Sequence, residues 1–298
     1  MSDVFDAAAL PRKLDDPPER DESSAPPGVI DAHVHIFPRE VFAAIRRWFD
    51  EHAWSCRYQL DAEALDAFLS ARGVERYLGL HYAHKPGMAE QLNEFALEFA
   101  QGHPRCIPCA TVFPGEPNAE GILDRALTAG ARAVKLHGHV QRIAADDPRL
   151  DAVYGRVVEH GVLLIFHNGS APAFSAYGDE LRALCTVAAL ERALRRFPEM
   201  RVCVPHFGFA ETAGYVDLLG RYPNLYLDTA MGLAGFFPFH GGAELLARHS
   251  DRILYGTDMP NLPYAWDRDL RFIEQSDLDE EQRRAVLGGN ARRLLLGG

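Results

Sequence analysis

The stretch Gly28-Val29-Ile30-Asp31-Ala32-His33-Val34-His35 begins as an apolar strand and ends in an acid and two histidines two residues apart. A buried strand avoids Asp and His unless something pairs them. Residues two apart on a strand share a face, so His33 and His35 point the same way, and Asp31 with them. With 13 histidines in 298 residues and an ordinary Asp frequency, Asp-x-His-x-His is expected only about 0.03 times by chance. Two imidazoles on one strand face can bind one cation, and imidazole is the commonest nitrogen donor to zinc-type metals.

The same grammar recurs along the chain. Short apolar runs at 29–35, 75–81, 106–113, 132–137, 162–167, 201–206, 224–230 and 252–258 alternate with amphipathic stretches such as DAEALDAFLSARG and RLDAVYGRVVEHG, several closed by Gly or Pro. Eight such units predict a (β/α)8 barrel, an α/β fold with a parallel sheet. An open doubly wound sheet is the alternative, but no Gly-rich phosphate turn follows the first strand. Polar residues gather at the strand ends: His33, His35, His81, Lys135, His137, His167, His206 and Asp258. In a barrel all these ends open on one face, where active sites are built.

Apolar residues make up 47% and charged ones 24%, which suits one domain with a substantial core, read here as 28–298. Residues 1–27, ending in DDPPERDESSAPP, read as a flexible, loosely packed arm. A net charge of −11 argues against nucleic acid or an anionic membrane as partner. No run reaches the ~20 apolar residues of a membrane span. The N-terminus lacks the basic start and apolar stretch of a secretory signal. Five scattered cysteines suit reduced thiols in a cytoplasm. Cys106 and Cys109, three apart on a strand, should face opposite sides as small core thiols rather than a redox pair.

Asp31-Ala-His33-Val-His35, His167 at the fifth strand, Val-Pro-His206-Phe-Gly, Tyr-Gly-Thr-Asp258-Met-Pro and the terminal Gly289-Asn290-Ala-Arg-Arg-Leu together resemble the amidohydrolase superfamily, and within it the branch that includes aminocarboxymuconate semialdehyde decarboxylase. The resemblance spans about residues 28–296. It implies one divalent ion, zinc or else manganese, held by His33, His35, His167 and Asp258, with His206 as catalytic acid/base. A bound cation lowers the pKa of its water to around 7. Asp258 can then accept a proton from that water, and His206 can polarise the substrate and protonate a leaving group. Asp31 reads as support for the ligands more than as a ligand.

Lys135 has three readings. In dinuclear relatives a carbamylated Lys at the end of strand four bridges two metals, which would make room for a second ion. Lys135 could equally bind a substrate carboxylate, or be a buried stem with a salt-bridged head. His137, two residues on, is expected to line the substrate pocket, whereas His81, His84 and His139 read as loop or rim residues. After strand one, IFPREVFAAIRRWFDEHAWSCRYQL (36–60) predicts a small helical insertion over the barrel mouth, with Arg46 among four arginines that could clamp a carboxylate. Its aromatics, with those of MGLAGFFPFHGG (231–242), favour a small-molecule substrate with an apolar body, although such stripes also serve packing or a subunit contact, as in a homodimer. Two reactions share these residues: hydrolysis of a lactone, amide or ester, which the polarising Lys135 favours, and nonoxidative decarboxylation of an aromatic or unsaturated acid. A metal-bearing scaffold that only binds ligand is the non-enzymatic alternative.

Overall fold

The computed structural model of the chain describes residues 10–170, 179–239 and 241–297. Its eight strands are β1 (Ile30–His35), β2 (Arg76–Leu80), β3 (Cys106–Ala110), β4 (Ala133–His137), β5 (Leu163–His167), β6 (Arg201–Val204), β7 (Leu225–Asp228) and β8 (Ile253–Leu254). They lie side by side in chain order, each parallel to the next, and each falls inside a run expected from the sequence. The ring closes between β8 and β1 by three backbone bonds: Ala32 N to Tyr255 O (2.8 Å), Asp258 N to His33 O (2.8 Å) and His35 N to Met259 O (2.7 Å). This is a (β/α)8 barrel. The shortness of β8 has a local cause, because the chain after it turns at Asp258 (φ 77°) to wrap over the end of β1.

Between β1 and β2 lie α1 (Arg39–His52), which is the expected insertion, and α2 (Ala62–Ala71). Asp61 starts α2 by accepting from Ala64 N at 3.0 Å. The later helices are α3 (Ala89–Gly102), α4 (Ala119–Thr128), α5 (Gly138–Gln141), α6 (Asp151–His160), α7 (Asp179–Leu184), α8 (Val187–Arg196), α9 (Thr212–Leu219), α10 (Gly242–His249), α11 (Arg268–Gln275), α12 (Glu280–Arg284) and α13 (Asn290–Leu295). Inside the barrel, Ile30, Ala32, Leu80, Ile107, Ile165 and Leu254 form one core, and Ala291 and Leu295 of α13 join it. A larger outer core packs the helices on the strands. Cys109 belongs to the inner core and Cys106 to the outer one, as their spacing required, and all five thiols are free and buried. Among the described residues no helix is long and apolar enough to cross a membrane.

Residues 10–27, expected as part of a loose arm, are laid against the body instead; residues 1–9 lie outside the described residues. Asp16 accepts two 2.7 Å bonds from Arg268 and one of 2.8 Å from Ala265 N. Asp21 takes Arg57 and Tyr58, and Leu14 N bonds to Pro263 O at 3.0 Å. The polar composition that suggested looseness supplies ionic anchors in place of apolar ones.

Candidate metal centre and active site

The first strand carries an irregularity that the period-two reading missed. Its register against β2 shifts between Asp31 and Val34. Below the shift Ile30 and Ala32 enter the barrel core; above it Val34 packs in the outer core, and His33 and His35 face inward. A bulge of this kind places adjacent residues on one face and re-aims side chains at a strand end. Asp31 is thereby taken off the histidine face. Its carboxylate accepts from Thr257 Oγ1 (2.6 Å), Thr257 N (3.1 Å) and His33 N (3.0 Å), which ties β1 to the turn carrying Asp258. Gly256 makes room in that turn, since a Cβ there would sit 2.7 Å from that of His33.

Asp258 Oδ1 lies 2.9 Å from His35 Nε2 and 3.6 Å from His33 Nε2. Ligands around a tetrahedral zinc at 2.0–2.1 Å stand about 3.3 Å apart, so the three groups already have the spacing of a metal's donor set. His33 Nε2 is buried with no hydrogen-bond partner among the described residues, while its Nδ1 is held 2.8 Å from Asp228 Oδ2. That hydrogen bond puts the proton on Nδ1 and leaves the Nε2 lone pair for a cation. Burial alone would raise the Asp258 carboxyl, but the bond from His35 and the imidazoles of His33 and His206 hold it below the ordinary carboxylate range. Burial, and then Lys135, push His33 well down, toward the neutral, ligating form. These residues fit a divalent ion.

Asp228 has no place among the residues expected from the sequence, yet it organises the site. Besides His33 it accepts from His206 N (2.9 Å) and Ala230 N (3.1 Å). Its signal was an acid ending the apolar run NLYL, the same cue that marks His33 and His167. His206 sits in a turn of four successive positive-φ residues, His206 to Phe209. Its Nδ1 donates to Ala230 O at 2.7 Å, leaving Nε2 free to exchange a proton, and its ring lies 5.1 Å from that of His33.

The other expected residues stand around this group to different degrees, and the His167 ring lies 4.9 Å from that of His206. The His167 ring is stacked on His137 at 3.9 Å, and both join His139 in a second group. His139, expected at a rim, is buried. His81 is buried and paired with Asn93 at 3.0 Å, whereas His84 is exposed. Lys135 is fully buried, and its Nζ has no hydrogen-bond partner among the described residues, so the salt-bridged-head reading fails there. Burial pushes its ammonium down to about 8, against the pull of Asp228 and Asp258. Arg46 does not reach the site. Its Nη2 donates to Leu60 O and its guanidinium lies 5.3 Å from the Phe42 ring, which braces α1. Arg39 and Arg57 pair with Asp61 and Asp21.

Above His35, His137, His167 and His206 is a cavity of about 60 Å³, walled by Trp48, Trp54, Tyr82, Phe209, Met231 and Phe237. A second cavity, of about 510 Å³, lies beyond His206, Phe209 and Phe237 and reaches Val216, Leu245 and Arg248.

A family model described as amidohydrolase matches residues 30–296. A 2-keto-4-carboxy-3-hexenedioate hydratase of Sphingobium sp. (strain NBRC 103272 / SYK-6) is 30% identical over 183 residues, a match that spans 53% of each chain, so the chain aligns with about half the length of this curated relative. Among solved structures, a TIM-barrel protein from Bordetella bronchiseptica superposes with a TM-score of 0.70 at 20% identity, covering 90% of this chain and 98% of that one. The 5-carboxyvanillate decarboxylase of Sphingomonas paucimobilis gives 0.65 at 18%, covering 90% and 98%. That of Novosphingobium aromaticivorans, solved with bound manganese, gives 0.65 at 15%, covering 92% and 99%.

Proposed function

The chain belongs to the amidohydrolase family, a metal-dependent family of enzymes, and on that premise we propose that it adds water to a small carboxylic substrate, hydrolysing a lactone, amide or ester. The observation that carries this reading is the placement of Asp258, a buried carboxylate 2.9 Å from His35 Nε2, with the His206 ring 5.1 Å from that of His33. A divalent ion, zinc or manganese, held by His33, His35 and Asp258, with His167 on the same cavity as the fourth expected ligand, would supply Lewis acidity and lower the pKa of a bound water toward neutrality. The remaining work falls to the chain. Asp258, kept ionised, accepts the proton of the attacking water. His206, its Nδ1–H fixed on Ala230 O, exchanges a proton through Nε2 with the substrate oxygen or the leaving group. The neutral form of His206 is favoured by burial, so its Nε2 first takes over the water's proton from Asp258 and then passes it to the leaving group. Lys135 adds a positive field beneath the floor, and His137 lines the wall where the substrate's acid group would lie. The relative named as a hydratase also adds water, which supports the same use of the site.

Decarboxylation of a flat unsaturated acid is the second reading, favoured by the aromatic walls and the small volume above the histidines. The two separate in one assay. Lactones, esters, amides and unsaturated or aromatic acids are incubated with the purified chain in ¹⁸O-water. One ¹⁸O in the product with no CO₂ supports water addition. Release of CO₂ without label overturns it in favour of decarboxylation.

A further inference from the structure

Two cavities meet at His206, and they differ in size and in what they touch. The one that holds His35, His167 and Asp258 measures about 60 Å³. At 10–15 Å³ for each water, that is room for about five waters, or for a reacting carbonyl and little of what is attached to it. The other measures about 510 Å³, the size of a small-molecule pocket. Of the residues proposed for catalysis, His206 alone lines it among the described residues. Its sides are apolar, with Ala213 and Val216 from α9 and Leu245 from α10. Its outer end reaches solvent at Glu244 and Arg248, which pair at 2.9 Å with side chains 72% and 65% exposed.

Phe209 and Phe237 line both cavities, and their rings meet edge-on at 5.7 Å. Phe209 also stacks on His206 with ring centroids 4.5 Å apart. Its backbone, at φ 52° and ψ −127°, lies where residues other than glycine rarely go. Thr212 Oγ1 holds that turn by donating to Phe209 O at 2.7 Å. Strain of this kind persists only where the surroundings impose it, and it clusters at ligand clamps. Here it sets an aromatic ring on the partition between the two cavities.

We infer that the larger cavity is a leaving-group chamber, which takes the alkyl or aryl body of an alcohol or amine joined to the small carboxylic part of the substrate. This rests on the hydrolytic reading of the site. Hydrolysis bonds the water oxygen to the acyl carbon, breaks the bond to the alkoxy oxygen or amide nitrogen, and delivers a proton to that atom. His206 Nε2 delivers the proton, so the space beyond His206 lies on the leaving-group side. The acid-bearing part stays in the smaller cavity with His137. Phe209 and Phe237 then grip the atoms next to the scissile bond and set which leaving groups fit.

The test is isothermal titration of the zinc-loaded, full-length chain with 4-methyl-, 4-ethyl-, 4-propyl- and 4-butylphenol, which mimic the departing alcohol. Affinity should rise about fourfold per methylene, about sixty-fold over the series, as for methylenes buried from water. This contrast needs no substitution. Val216→Trp and Ala213→Phe, which fill the chamber, should each remove most of the gain. Equal affinity for all four phenols in the wild type overturns the chamber, as does a gain that persists in both filled variants. Hydrolysis of the matching 4-alkylphenyl monosuccinates is followed in parallel. A length-dependent gain in binding without hydrolysis of any ester keeps the apolar chamber and sinks the hydrolytic reading. Hydrolysis of all four esters with flat binding sinks the chamber and leaves that reading intact.

Discussion

His33 Nδ1 on β1 lies 2.8 Å from Asp228 Oδ2 on β7, a contact between residues 195 apart in sequence. The same carboxylate receives the backbone N–H of His206, so one buried acid sets both the tautomer of the ligand proposed at His33 and the position of the acid/base proposed at His206. In Asp228→Asn the amide can turn its NH₂ toward His33, which favours the tautomer with the proton on Nε2. Partners of this kind are worth 10–100-fold in metal affinity. Asp228→Asn should therefore weaken Zn²⁺ binding about 10–100-fold, measured by competition with a chromogenic chelator. Unchanged affinity would mean that His33 is not a ligand.

His206, the acid/base of the proposed reaction, belongs to neither histidine-containing metal group. His206→Ala should lower kcat/KM about 10²–10⁴-fold, the usual worth of one positioned proton-transfer group. The tightest bound ion should stay, read as metal per chain by elemental analysis. Loss of that ion along with activity would make His206 a ligand instead.

The barrel and the gathering of polar residues at its rim were legible in the sequence, and each failure has its own local cause. The strand count and the crowding of His33, His35, His206 and Asp258 at one rim follow from hydrophobic period and topology alone. The bulge in β1 does not, because it inverts side-chain parity without leaving a composition signal, and it moved Asp31 from the histidine face to Thr257. Asp228 was hidden because a lone acid after an apolar run also reads as the start of a turn. Arg46 misled because charge near a predicted mouth says nothing about which carbonyl it will meet; it met Leu60 O. His139 depended on the tight turn at Gly138, which no period reports.

The N-terminal strap is anchored by charge, so its removal should be felt as lost stability. Asp16 has a side chain 2% exposed and is held by Nε and Nη2 of Arg268, whereas Arg268 is 26% exposed and keeps access to water. Breaking a fully buried pair costs 3–5 kcal/mol, and the exposed arginine reduces that to about 2–3 kcal/mol for Asp16→Ala, measured by urea unfolding. Arg39→Ala, which breaks a pair with Asp61 at a side chain 79% exposed, should cost under about 0.5 kcal/mol. Equal costs for the two would mean the strap contributes nothing.

Asp269 on α11 gives the pH dependence a sign. Burial raises its carboxyl to about 8, although Leu233 N (2.7 Å) and the Tyr264 hydroxyl (3.4 Å) pull it down. The same group in the open chain ionises at 3.8. Between those values the folded chain keeps a proton that the unfolded chain has released. Where the native state binds more protons, stability falls as pH rises, here from about 4 to about 8, and levels off above. Asn at this position retains the carbonyl acceptor for Leu233 N and has no proton to lose. The stability of Asp269→Asn relative to wild type should therefore improve steadily from pH 5 to pH 8 and change little by pH 9, followed by urea unfolding at each pH. A difference that stays flat across that window would show that Asp269 is already ionised in the fold, and that some other group carries the alkaline loss of stability.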